Sequence, residues 1–238
     1  MNIVITMAGA GERFKKAGYD QPKFMLKAKG QTLFRWSMVS LENFLPLCER
    51  LIFIVREEDD AAGFITTELT NFQAPAPIVL PLSQQTDGQA TTALRAKTVW
   101  AADSPLLIYN IDTHVDPQFI HPDMIRGAGW IPCFRARGEH WSFVRLDPNG
   151  RAVEVQEKKR ISEFASIGLY WFATGRLYER AYESHYIGRQ GAALPERYIA
   201  PIYNDLIASG YEVTISDVPV QSVAVLGTPD ELKVFEAS

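Results

Sequence analysis

Ile3-Val4-Ile5-Thr6-Met7-Ala8-Gly9-Ala10-Gly11-Glu12-Arg13-Phe14 opens on an apolar run that stops at a glycine-bearing loop. The run from Ile3 to Met7 reads as a strand buried on both faces, the kind that builds parallel sheets. The next hundred residues repeat the theme. Thr32 to Phe44 carries Leu33, Trp36, Val39 and Phe44 at helical spacing, and Leu51 to Val55 is a second buried strand. Glu57-Glu58-Asp59-Asp60 suits a helix start, where negative charge meets the N-terminal dipole. Ile78 to Leu82 is a third strand, Gly88 to Trp100 a third helical stretch, and Leu106 to Ile111 a fourth strand that ends at Asp112. Strand alternating with helix four times predicts a parallel α/β sheet. In such sheets ligands gather beyond the carboxyl ends of the strands. The loops after the first and fourth strands, which hold Gly9, Gly11 and Asp112, are therefore expected to face one cleft.

The second half changes character. Ile131 to Arg135, Trp141 to Leu146 and Ala152 to Gln156 are strand-like, and Asp147-Pro148-Asn149-Gly150 is a hairpin turn between the last two. Ser166 to Phe172 reads as one further strand. Arg176 to Tyr186 and Glu196 to Ser209 read as helices, with Pro195 at a helix start. Val213 to Val225 holds two short strands, and a last helix begins near Thr228-Pro229-Asp230-Glu231. The expected architecture is an α/β fold: a Rossmann-like, mixed, mostly parallel sheet flanked by helices, with a small antiparallel extension. Residues 1–238 are expected to form a single domain, with 1–115 as one half and 116–238 as the other.

The composition narrows the function. The chain has 238 residues, 47% hydrophobic and 22% charged, which suits a globular core without a disulfide or metal staple. The net charge of −4 excludes a general polyanion binder, so an anionic ligand must meet a local basic patch. No nucleic-acid or membrane partner is expected; a homo-oligomer stays open. Cys48 and Cys133 lack the spacing of a zinc site or a disulfide framework. The N-terminal apolar run is short and lacks a basic flank, so a cytoplasmic protein is expected.

The first loop is not the dinucleotide fingerprint, because Phe14 stands where a third glycine is needed, nor a P-loop. Its backbone N–H groups can still meet phosphate or base, and Arg13 adds a planar, permanently charged fork. Lys23 comes next in Gln21-Pro22-Lys23-Phe24-Met25-Leu26, held between Pro22 and the apolar anchors Phe24 and Leu26. Each has a plainer alternative: a surface arginine at a tight turn, a lysine in a connecting loop, an aspartate at 112 that merely caps a turn. Glu157-Lys158-Lys159-Arg160 can equally be a solvated charge run. His114 can be a metal or acceptor ligand, though a polar loop residue fits as well. Tyr170, Trp171 and Phe172 suit a core better than a ligand platform.

Together these segments resemble the nucleotidyltransferases that activate sugar phosphates and related small phosphates. Gly9-x-Gly11-x-Arg13-Phe14 with Pro22-Lys23-x-x-Leu26 looks like their signature loop. Thr86-Asp87-Gly88-Gln89-Ala90 is similar to their base-reading segment, and Asn110-Ile111-Asp112 to the strand end whose aspartate binds magnesium. Val155-Gln156-Glu157-Lys158 resembles the Glu-Lys that contacts the acceptor, Ile167-Gly168-Leu169-Tyr170 the strand beside it, and Gly227-Thr228-Pro229 the closing motif. The likeness runs through the whole chain in order.

The resemblance implies a fold of the nucleotidyltransferase or GT-A-like kind and an enzyme that joins an NTP to a phosphorylated acceptor with release of pyrophosphate. It implies Mg²⁺ at Asp112. Ala8, Gly9, Gly11, Gln85 and Gly88 would bind the nucleotide. Arg13 and Lys23 would be catalytic, at the β/γ-phosphates and the α-phosphate. Glu157, Lys158, Gly168 and Glu196 would bind the acceptor. The first half would hold the nucleotide and the second the acceptor. Such chemistry needs no general base, because the attacking phosphate is already anionic; the work is to align and neutralise two repelling anions.

One departure stands out. Many members carry a second metal-binding aspartate two residues before the glycine of the closing motif; here that place is Val225. Either the ion relies on Asp112, phosphate oxygens and water, or another acid such as Glu157 substitutes, or the chain has lost activity. Similar short relatives from capsule and lipopolysaccharide clusters, some with phosphoamide-type or phosphocholine acceptors, also have unusual closing motifs, which points to cell-surface polysaccharide precursors. Two other readings remain: a metal-dependent glycosyltransferase, for which Asp112-Thr113-His114 lacks the second aspartate of Asp-x-Asp, and a non-catalytic nucleotide-binding homologue.

Overall fold

Ile3, Val4 and Ile5 are fully buried, and successive residues point into different cores: Ile3 and Ile5 into one, Val4 into the other. They belong to a computed structural model that describes residues 1–188 and 196–238. Pro195, the expected helix start, lies outside the described residues. The strands in chain order are β1 (Asn2–Thr6), β2 (Lys27–Ala28), β3 (Gln31–Thr32), β4 (Arg50–Arg56), β5 (Pro77–Leu82), β6 (Leu106–Asn110), β7 (Thr113–Val115), β8 (Gly129–Arg135), β9 (Ser142–Leu146), β10 (Ala152–Glu157), β11 (Phe164–Ser166), β12 (Leu169–Phe172), β13 (Val213–Val218) and β14 (Val223–Val225). The helices are α1 (Glu12–Lys16), α2 (Leu33–Val39), α3 (Ala62–Glu68), α4 (Gln89–Leu94), α5 (Gly175–Tyr182), α6 (Tyr203–Ala208) and α7 (Pro229–Ala237).

One ten-stranded sheet runs β10-β9-β11-β8-β12-β6-β1-β4-β5, with β13 paired to β8. The four strands read from the first half, β6, β1, β4 and β5, are all parallel. β12 then joins antiparallel to β6, and β8, β9, β10 and β11 continue antiparallel. This mixed sheet, covered by helices on both faces, is the expected fold. On one face Phe34 and Met38 of α2 and Ile65 of α3 pack on Leu51 and Phe53. On the other, Ala90 and Ala93 of α4, Tyr178 of α5 and Leu206 of α6 share a second core with Val4, Ile52 and Val155. Each fully buried large apolar side chain contributes about 1.5–3 kcal/mol before ordering costs.

Three local differences from the sequence reading have physical causes. Residues 166–172 form two strands rather than one, because Gly168 between them takes φ 83° and turns the chain. Residues 196–199 are not helical, and the helix is α6 preceded by a 3-10 turn at Ala200–Ile202. The Arg197 N–H donates to the Asp87 carbonyl (2.7 Å) and its carbonyl accepts from Ala90 (2.9 Å), which commits that backbone elsewhere. A small antiparallel pair, β7 with β14, sets Val225 opposite Thr113, and the Leu226 N–H donates to the Asp112 carbonyl at 2.8 Å. The start of the last helix is as read: the Thr228 hydroxyl accepts from the Glu231 N–H, and Pro229 takes the first helical position.

Candidate active site

The carboxyl ends of β1 and β6, with the loop after β5, open into a cleft of about 280 Å³. Ala8, Gly9, Gln85, Gly88, Asn110 and Asp112 line it. A Cβ at Gly9 would meet nothing within 4 Å, so the protein's own packing does not demand this glycine; it leaves open space at the loop. Gly11 takes φ 67° and caps α1, which is anchored by buried Phe14. Gly11 lines a neighbouring recess with Lys15 and Lys23.

Lys23 sits where the sequence places it, between fixed neighbours. Pro22 (φ −52°) leads into a 3-10 turn at Lys23–Met25, while Phe24 and Leu26 are buried. Its ammonium lies 2.6 Å from Asp112 Oδ2. The side chains of the pair are 18% and 26% exposed, so the pair stands at the mouth of the cleft rather than in the core.

A second cleft, of about 290 Å³, adjoins the first. Arg13, Glu157, Lys158, Gly168 and Val225 line it, and Asp112, Asn110, Gln89 and Tyr198 border both clefts. Lys158 comes directly after the last residue of β10 and takes φ 52°. Its N–H donates to the Trp141 carbonyl (2.9 Å), and its ammonium donates to the Tyr198 hydroxyl while lying 4.6 Å from that ring's centre. The hydrogen bond to Tyr198 holds the Lys158 ammonium above its ordinary range. Burial pushes the Tyr170 phenol at the same cleft up to about 12.

Burial also raises the Glu157 carboxyl, and the hydrogen bond from the Ser142 hydroxyl opposes it. The native state therefore holds this proton more tightly than the unfolded chain, whose ordinary value is 4.5. The stability this group contributes is full below that value and is lost as pH rises through the raised one. Glu157→Gln stays neutral and escapes the loss. Its Tm advantage over the wild type grows as pH rises from about 4 to about 8 in thermal unfolding; a difference constant with pH contradicts this.

The remaining residues singled out in the sequence fall as follows. Arg13, in the helix that Gly11 caps, lines the second cleft. Glu196 lines the first cleft, and it faces the second through its hydrogen bond from Tyr198 and its charge beside Glu157 and Lys158. The Cβ absent at Gly88 would fall 2.8 Å from the Arg197 carbonyl carbon, so that glycine is required by a backbone crossing. His114 packs between Trp36 and Phe235, its Nδ1 is 2.9 Å from the Trp36 carbonyl, and burial lowers its pKa. Trp171 and Phe172 are core residues, as read.

Others were not anticipated. Gln89 donates to Asn110 and, at 3.1 Å, to the Thr6 hydroxyl, which ties α4 to the ends of β1 and β6. Glu231 of α7 carries a buried oxygen, Oε2, without a hydrogen-bond partner, at the second cleft beside Val225. A Cβ at Gly227 would lie 3.5 Å from Asp112 Oδ2 and 3.6 Å from Glu231 Oε2, so these carboxylates flank the same small gap. A capping-type sequence, Thr-Pro-Asp-Glu, hid this acid as a helix start.

A glycine loop and a lysine meet an aspartate at the carboxyl ends of parallel strands, and a second cleft with its own lysine shares that aspartate. This defines an α/β transferase arrangement suited to two anionic substrates. No protein-family model matches the chain, and no curated protein does. Among solved structures, the nucleoside-diphosphate-sugar pyrophosphorylase from Vibrio cholerae RC9 is 35% identical, covers 99% of this chain and 100% of its own, and superposes with a TM-score of 0.90. The inositol-1-phosphate CTP transferase from T. maritima shares the fold at 16% identity, with a TM-score of 0.76 over 99% of this chain and 93% of its own. The chain belongs to the sugar-phosphate nucleotidyltransferase family and is a nucleotidyltransferase.

Proposed function

We propose that the enzyme transfers a nucleotidyl group from an NTP to a phosphorylated small molecule of the sugar 1-phosphate class and releases pyrophosphate. The observation that carries this reading is Asp112, paired with Lys23 and bordering both clefts. The first cleft takes the nucleotide: Ala8, Gly9 and Gln85 meet base and phosphates, and Gly11 shapes the loop. The second takes the acceptor: Lys158 and Arg13 hold its phosphate, Glu157 accepts from its hydroxyls, and the chain turn at Gly168 gives it room. In this division residues 1–115 serve mainly the nucleotide and 116–238 the acceptor.

The acceptor phosphate attacks the α-phosphorus, and the bond from that phosphorus to the bridging oxygen breaks toward pyrophosphate. Lys23 leaves Asp112 for the α-phosphate as the triphosphate enters, and neutralises charge that builds there. Arg13 and Lys158 draw the second anion in against its repulsion. Among the described residues no trio of acidic, histidine or cysteine side chains forms a protein-only metal cage. Mg²⁺ rarely needs one, because it keeps waters and phosphate oxygens and takes one or two carboxylates. Asp112 and the orphaned Glu231 oxygen fit that requirement in place of the acid lost at Val225. A bound Mg²⁺ supplies charge neutralisation at the triphosphate.

No described helix is long and apolar enough to cross a membrane. We read the enzyme as cytoplasmic, without a nucleic-acid partner, and as a supplier of precursors for cell-surface polysaccharide. The test is pyrophosphate release over CTP, UTP, dTTP and GTP with a panel of phosphorylated acceptors. One pair is expected to turn over, and Lys23→Ala to slow it about 100-fold. Silence across the panel, with no nucleotide bound in calorimetry, overturns the reading.

A further inference from the structure

Between the two clefts runs Glu196-Arg197-Tyr198, a segment bonded to both sides. Its backbone is zipped to the loop after β5 by two hydrogen bonds, Arg197 N–H to the Asp87 carbonyl (2.7 Å) and Ala90 N–H to the Arg197 carbonyl (2.9 Å). Arg197 Nε adds an ion pair with Asp87 at 2.9 Å. Gly88 lies under this crossing, with no space for a side chain. The Tyr186 hydroxyl donates to the Tyr198 carbonyl and fixes the far end. From there the Tyr198 ring reaches across: its hydroxyl donates to Glu196 and accepts from the Lys158 ammonium. Lys158 itself sits in a left-handed backbone conformation, which residues other than glycine adopt only where surrounding contacts hold them.

The geometry points to Tyr198 as a positioning residue for Lys158, carried on a strap that couples the two clefts, so that filling the nucleotide cleft sets where the acceptor-side lysine stands. The inference rests on the nucleotidyltransferase reading of the clefts. A nucleotide that presses on the Gln85–Gly88 loop moves or steadies the backbone of Arg197, and with it the phenol that holds the ammonium. Such coupling is reciprocal: the factor by which a bound nucleotide changes acceptor affinity is the factor by which a bound acceptor changes nucleotide affinity.

The test uses the whole protein and needs no turnover. Lysines are acetylated with a limiting pulse of acetic anhydride, with and without each of CTP, UTP, dTTP and GTP, and site rates are read by mass spectrometry. Lys23 reports occupancy of the nucleotide cleft. In the wild type, the nucleotide that protects Lys23 slows Lys158 labelling by about fivefold or more, the lower end of typical coupling factors. In Tyr198→Phe, which keeps the ring and removes the hydroxyl, Lys23 stays protected and Lys158 no longer responds. Direct shielding of Lys158 by the nucleotide would persist in that variant, so a full response there overturns the inference. So does a wild-type Lys158 that ignores a nucleotide protecting Lys23. If no nucleotide protects Lys23, the assignment of the nucleotide to the first cleft fails first, and the inference falls with it.

Discussion

Asp112→Asn lowers kcat/KM by about 100- to 1000-fold while the protein keeps its fold. The substitution preserves size and removes the negative charge that borders both clefts. Under the proposed mechanism it would replace the anionic oxygen that would hold Mg²⁺ with a neutral amide, and it leaves the Lys23 ammonium without its counter-charge at 2.6 Å. The stability cost stays small, within about 1 kcal/mol, because both partners are partly solvated. Steady-state kinetics and thermal unfolding on the same preparation separate the two effects. A rate unchanged within twofold removes Asp112 from the reaction.

Gly168→Ala is expected to cost about 2–4 kcal/mol of stability, and activity with it. Residue 168 takes φ +83°, and a Cβ there would stand 2.8 Å from Asn110 Cγ, with the amide nitrogen closer still. Asn110 cannot retreat freely, because its side-chain oxygen accepts from Gln89 and its N–H donates to the Gly168 carbonyl at 3.3 Å. The methyl group therefore strains the backbone, displaces a residue that borders both clefts, and loosens the tie from α4 to β6. Denaturant unfolding measures the first effect. A loss below about 0.5 kcal/mol shows that the turn relaxes without cost.

The parallel half was legible because each of its strands is buried on two faces. Leu51 to Val55 and Leu106 to Tyr109 show continuous apolar runs, and such runs have few other solutions. Lys23 and Asp112 were legible for a related reason: a rigid local frame fixes the lysine, and topology brings the ends of β1 and β6 together. What stayed hidden depends on partners far along the chain. The break at Gly168 answers to Asn110, 58 residues earlier by number. The non-helical stretch at Arg197 answers to Asp87 and Ala90, and Tyr198 gains its place from Lys158. Nothing in the local pattern of these residues distinguishes them from ordinary loop or helix positions. Glu231 is intermediate: its helix start was read, but the approach of its carboxylate to Asp112 across Gly227 is set only by the β7–β14 pairing.

That pairing also recasts the acidic balance of the chain. With a net charge of −4, the protein as a whole repels its substrates. Arg13, Lys23 and Lys158 gather at the two clefts, and Asp112 stands between them, so attraction is confined to the place where two anions must meet.

The most direct test traces the oxygens of the acceptor phosphate. A sugar 1-phosphate whose four phosphate-group oxygens all carry ¹⁸O is incubated with the NTP that binds, and the products are weighed by mass spectrometry. Attack of the acceptor phosphate on the α-phosphorus predicts a nucleoside-diphosphate conjugate that retains every labelled oxygen, together with unlabelled pyrophosphate in equal amount. Label released as inorganic phosphate, or label found in pyrophosphate, contradicts nucleotidyl transfer.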